Sequence, residues 1–98
     1  MRATIAWWDL SNSEQTIDSL REHLRDGGAQ AWAAVRGLRV KFWIADRATN
    51  RWGAVLVWES VVPDQPLPPH AAELIGYPPT QLERFDVQAL VEGIHSEG

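Results

Sequence analysis

The sequence has no cysteine, a single tyrosine, a single methionine and two phenylalanines. Without thiols it forms no disulfide scaffold, no Cys-ligated zinc or iron–sulfur centre and no cysteine nucleophile. Long apolar runs are missing too. No stretch approaches the roughly 18 consecutive apolar residues of a membrane span, and the first residues lack the charged-then-apolar order of a secretion signal. The expectation is a cytoplasmic protein with no membrane contact. Positive charge is in deficit, with nine Lys plus Arg against thirteen Asp plus Glu and a net charge of −4. That balance argues against a nucleic-acid partner, whose phosphates attract basic surfaces.

What the 98 residues do contain is a 45% apolar fraction, enough for one core, and six tryptophans at positions 7, 8, 32, 43, 52 and 58. A single domain over residues 1–98 suits this length. So small an interior holds few large rings, so some of the tryptophans are expected at a pocket or a subunit interface.

Residues 4–10 (TIAWWDL) read as a first strand. Ser11 and Glu14 have capping-box spacing, which predicts a helix start there. In that helix Ile17, Leu20 and Leu24 form the apolar stripe, and Gly27-Gly28 stops or kinks it before a resumed stretch carrying Trp32. From Leu38 the period changes to two. Leu38, Val40, Phe42 and Ile44 are expected to face the helices, with Arg39, Lys41, Trp43 and Ala45 on the opposite face. A polar turn over 46–51 leads to a third strand, 52–59, in an antiparallel hairpin.

The stretch VVPDQPLPPH carries four of the six prolines and reads as a surface loop. Residues 70–75 form a short helix, 80–85 a fourth strand, and Asp86 caps a last helix whose apolar face is Val87, Leu90, Val91 and Ile94. The order is βαββαβ, an α+β, ferredoxin-like topology: an antiparallel four-stranded sheet with helices on one face.

On the predicted open face of the second strand, Trp43 lies beside Arg39 and Lys41. An aromatic flanked by two cations suits a flat phenolate or other anionic ligand. Trp7 or Trp8, together with Trp58, would add further walls. Of three histidines, His70 stands at a proline-framed helix start and is the general-base candidate, while His23 reads as a boundary residue and His95 as part of the tail. No pair of His, Asp or Glu has metal-ligand spacing, and no G-x-S-x-G or phosphate-binding glycine loop occurs. RNA-recognition domains share the topology, but their base-stacking positions here hold Gly53, Val55 and Ala6.

The segment GLRVKFWIADRATNRWGAVLVWES, with Gly37, Leu38, Lys41 and Trp43, then Gly53 to Glu59, and later Phe85-Asp86-Val87, resembles the YdhR-type monooxygenases. These form a branch of the dimeric α+β barrel, antibiotic-biosynthesis-monooxygenase-like proteins. Leu67, His70 and Leu74 fit the family's Leu-x-x-His-x-x-x-Leu spacing. The family's long second helix is here shortened by the proline-rich loop 62–69. The resemblance implies a homodimer whose two sheets face one another and enclose a cavity. It also implies an oxidoreductase acting without metal, flavin or other cofactor on a flat aromatic or phenolic molecule. In that scheme His70 and Lys41 are catalytic, and Arg39, Trp43, Trp58 and Trp7 bind substrate. A non-catalytic small-molecule-binding protein and an isomerase or cyclase of the same fold are the alternatives.

Overall fold

The computed structural model describes residues 1–94. It is a small α+β domain whose antiparallel sheet has four strands, compatible with a ferredoxin-like fold. The strands are β1 (Arg2–Asp9), β2 (Leu38–Asp46), β3 (Arg51–Trp58) and β4 (Gln81–Asp86), in the spatial order β2-β3-β1-β4. Two α-helices, α1 (Ile17–His23) and α2 (Ala71–Ile75), lie on one face of the sheet. Among the described residues no helix is long and apolar enough to cross a membrane.

The first helix starts later than the Ser11 and Glu14 spacing predicts. Ser11 is consumed in the turn after β1, where its backbone N–H and hydroxyl both donate to the Asp9 carboxylate. Thr16 is the actual N-cap: its hydroxyl accepts from the Ser19 backbone N–H at 3.0 Å, and the Ser19 hydroxyl accepts from the Thr16 N–H at 2.8 Å. The capping box is therefore Thr-x-x-Ser, and Ser replaces the longer Glu as the reciprocal partner. The helix loosens into a π-turn, Leu24–Gly28, and breaks where Gly27 takes φ +107°, a conformation only glycine adopts cheaply. The chain then tightens into a 3₁₀ segment, Gln30–Ala34, which buries Trp32.

The core lies between α1 and the sheet. Trp8 and Trp52 sit opposite each other in the β1–β3 register, both buried, with Ile17, Leu20, Leu10, Ala6 and Ile75 packed around them. The Trp8 indole N–H donates to the Tyr77 carbonyl at 2.9 Å, and the Tyr77 hydroxyl donates to the Asp9 carbonyl. These two bonds tie the α2–β4 connection across β1 and satisfy the polar tips of both rings.

Three expectations are corrected. The faces of β2 are the reverse of those predicted: Trp43 packs toward the core under the helices, whereas Val40 and Phe42 lie on the uncovered face, 38% and 46% exposed. Alternation favours the other assignment, because Arg39 and Lys41 share the parity of Trp43 and the opposite parity is wholly apolar. The choice is made by pairing, since Trp43 stands opposite Ala54 in the row that includes Ala6. The expected helix after Asp86 is absent from residues 87–94. Asp86 instead pairs with Arg2 at 3.3 Å, and the Val87 N–H donates to the Met1 carbonyl, which prolongs the β1–β4 ladder. With no layer to cover an apolar face there, Val91 and Ile94 stand almost fully exposed. The third correction concerns the cavity, which lies between the sheet and the helical layer of one chain and not on the open face of the sheet.

Candidate functional site

The cavity exists because small residues occupy the middle of the covered sheet face. Ala6 and Ala54 are cross-strand partners at its floor, and α2 presents Ala71 and Ala72 above them. Larger residues stand around this gap: Trp8 on β1, Trp43 on β2, Leu56 and Trp58 on β3, and Leu82 on β4. The hollow has a volume of about 260 Å³, is open to solvent on one side, and has a mostly apolar lining. A hollow of this kind, with few convergent polar groups, is what a small flat ligand requires.

Two of those polar groups are Lys41 and His70. The Lys41 ammonium nitrogen lies 3.3 Å from the centre of the Trp32 ring and 4.9 Å from that of Trp43. Aromatic faces attract the cation, but they replace water poorly. Desolvation lowers the pKa of Lys41 from 10.5 to about 8. The four ion pairs among the described residues all use arginine, so no carboxylate neutralises Lys41 there.

His70 occupies the N-cap position of α2 with extended backbone, yet its side chain makes no capping hydrogen bond. Its ring stands edge-on to Trp32, centroids 5.3 Å apart. Desolvation is the larger cause that lowers its pKa below 6.5, the nearby Lys41 charge adds to it, and Glu73 opposes both. The balance favours the neutral imidazole, the form that accepts a proton.

The approach of His70 is set by the proline-rich loop. Gln65 acts as a strap: its side-chain oxygen accepts from the Arg36 N–H at 2.7 Å, and its amide donates to the Arg36 carbonyl at 3.0 Å. This bidentate contact mimics a strand pair and holds the loop against the segment entering β2.

Of the residues singled out in the sequence, His70, Lys41, Trp43 and Trp58 come together on this cavity. Arg39 does not. It sits at a bulge in the β2–β3 pairing, faces Glu59 at 3.7 Å, and lines an adjoining, more open hollow on the other side of Lys41 and Trp43. Trp7 points to the opposite face of the sheet, where its ring covers Gly53 and stacks with the Arg51 guanidinium at 4.3 Å. A Cβ on Gly53 would lie 2.9 Å from that ring, so the glycine makes room for Trp7 on the open face. Trp8 takes the cavity wall instead.

The sequence reading missed Trp32 as a site residue and the alanines of the floor, and it left open whether Trp7 or Trp8 forms the wall. One available signal was overlooked: Lys41 is the only lysine in a chain with eight arginines. His23 is half-buried beside Trp32, and His95 lies outside the described residues. No three His, Asp or Glu side chains among the described residues converge as a metal site.

No protein-family model matches the chain, and neither does any curated protein.

Proposed function

We propose that the cavity binds a flat aromatic or phenolic molecule and that the chain is a cofactor-independent monooxygenase similar to the YdhR-type enzymes. The observation that carries this reading is the convergence of an unpaired lysine and a neutral histidine on a tryptophan-walled cavity. A phenolic ligand would rest against Trp43, Trp58 and Trp8. His70 would take its hydroxyl proton, and the Lys41 ammonium would stabilise the oxyanion, which is worth more in a water-poor site than in bulk. The electron-rich anion would then itself reduce dioxygen, so that carbon–oxygen bond formation needs no metal or flavin.

The proposal includes a ferredoxin-like βαββαβ homodimer joined through the uncovered sheet face. In support, that face carries Val40, Phe42 and Phe85, each 38–49% exposed, beside Val57 and Ile5. An apolar sheet face of this extent seldom stays in water.

Dioxygen uptake with a panel of anthrones and quinols tests the activity. Turnover lost in His70→Ala supports the oxygenase. Binding of the same compounds without oxygen consumption turns the reading to the non-catalytic alternative, and conversion without oxygen consumption turns it to an isomerase or cyclase.

A further inference from the structure

We propose that Lys41 is also a carbonyl-capturing amine, which forms a reversible imine with the aldehyde or ketone group of a flat aromatic ligand in the cavity. The proposal rests on the cavity being the ligand site and is independent of oxygenation.

Lys41 is the one lysine of the sequence, and it stands on the cavity wall beside His70. The other cationic side chains that the sequence fixes at neutral pH are arginines, whose guanidinium neither loses its proton nor adds to a carbonyl. No acid holds the Lys41 ammonium among the described residues. Its nearest charge-sensitive neighbours there are the Trp32 and Trp43 rings. With its pKa at about 8, a fraction of the amine on the order of one tenth is neutral and nucleophilic near pH 7. Trp43 and Trp58 offer faces on which an aryl carbonyl compound can lie within reach of the amine.

The chemistry balances without an oxidant or reductant. The neutral amine adds its lone pair to the carbonyl carbon, a carbon–nitrogen bond forms, and the carbon–oxygen π pair moves to oxygen. The proton that the ammonium gave up in becoming the neutral amine goes to that oxygen and makes a hydroxyl. His70 then takes a second proton from the nitrogen and returns it to the hydroxyl, which leaves as water while the nitrogen lone pair closes the carbon–nitrogen double bond. The sum is one carbonyl compound plus one lysine ammonium giving one iminium plus one water. Lysine and arginine are equivalent for oxyanion stabilisation by charge but not for capture, and that difference separates the two roles.

The test treats the full chain with 2-naphthaldehyde and sodium cyanoborohydride and maps the reduced adduct by mass spectrometry. The only other amine is the α-amino group of Met1, an internal measure of unselective reaction. Labelling of Lys41 should exceed that of Met1 about tenfold, fall with excess 2-naphthol, which lacks the carbonyl, and vanish in Lys41→Arg. Equal labelling of the two amines, or labelling that 2-naphthol does not suppress, overturns the proposal. If 2-naphthol quenches tryptophan fluorescence while Lys41 stays unlabelled, capture alone fails. If neither compound quenches it, the ligand-site reading fails and capture fails with it.

Discussion

Lys41 and Trp32 form the closest cation–aromatic contact of the site, with the ammonium nitrogen 3.3 Å from the ring centre. The two residues arrive from different elements, Lys41 from the second strand and Trp32 from the 3₁₀ segment that follows the glycine break. Their contact places a cation in a poorly hydrated position with aromatic faces in place of a counter-ion, and the physical consequences can be measured.

The first concerns stability and pH. Below about 8 the Lys41 amine is protonated in both the folded and the unfolded chain. Between about 8 and 10.5 the unfolded chain retains that proton while the folded chain has released it, so stability from this group rises with pH across the window. Thermal melts of the wild type and Lys41→Met should show the wild type gaining relative to the variant as pH rises through that range. A constant difference would mean that the amine remains ordinarily hydrated.

A second prediction separates the two faces of β2. Trp43→Ala removes a ring packed on the core and wall of the cavity, and should lower stability by about 2–3 kcal/mol as well as weakening ligand binding. Phe42→Asp, one residue away on the uncovered face, should leave the protomer folded and convert a dimer of about twice 11.0 kDa into a monomer in sedimentation. A wild-type monomer at micromolar concentration would remove the dimer from the proposed function.

The strap makes a third. Gln65→Ala deletes two hydrogen bonds to the Arg36 backbone, for a net cost of about 1 kcal/mol at this exposed site. Amide exchange at Arg36 should quicken, and ligand affinity should fall because His70 loses its anchored approach. Unchanged exchange would show that the prolines alone hold the loop.

The fourth concerns the pH profile of oxygen consumption. His70 must be neutral to accept a proton, so the rate should fall on the acid side below 6.5, where its depressed pKa lies. Lys41 must be charged to hold an oxyanion, so the rate should fall again above about 8. His70→Ala should lose most of its turnover, with no acid limb in what remains, and Lys41→Arg should remove the alkaline limb while retaining turnover. A profile unaltered by both substitutions would exclude these residues from the chemistry.

The four strands and the two helices were legible in the sequence because each is written locally, whereas the spacing of Val87, Leu90, Val91 and Ile94 predicted a helix that residues 87–94 do not form. Alternation marks the strands, the Ile17, Leu20 and Leu24 spacing marks the first helix, Gly27 marks its end, and four clustered prolines keep residues 62–69 irregular. The sequence also contained the chemistry of the site as residue types, in a lone lysine, a histidine and an abundance of tryptophan. Which groups meet was decided only in three dimensions. Period two places Arg39, Lys41 and Trp43 on one face, but the bulge at Arg39 removes that residue from the cavity, and strand pairing places Trp43 under the helices. Neighbouring Trp7 and Trp8 differ only in parity, and it is the pairing of Trp7 with Gly53 and of Trp8 with Trp52 that sends one ring to the open face and the other to the core. The cavity itself depends on Ala6 meeting Ala54 beneath Ala71 and Ala72, four unremarkable alanines whose small volume matters only once a sheet and a helix bring them together. Local patterns encode backbone preference and polarity, whereas a void is a property of how distant surfaces fit.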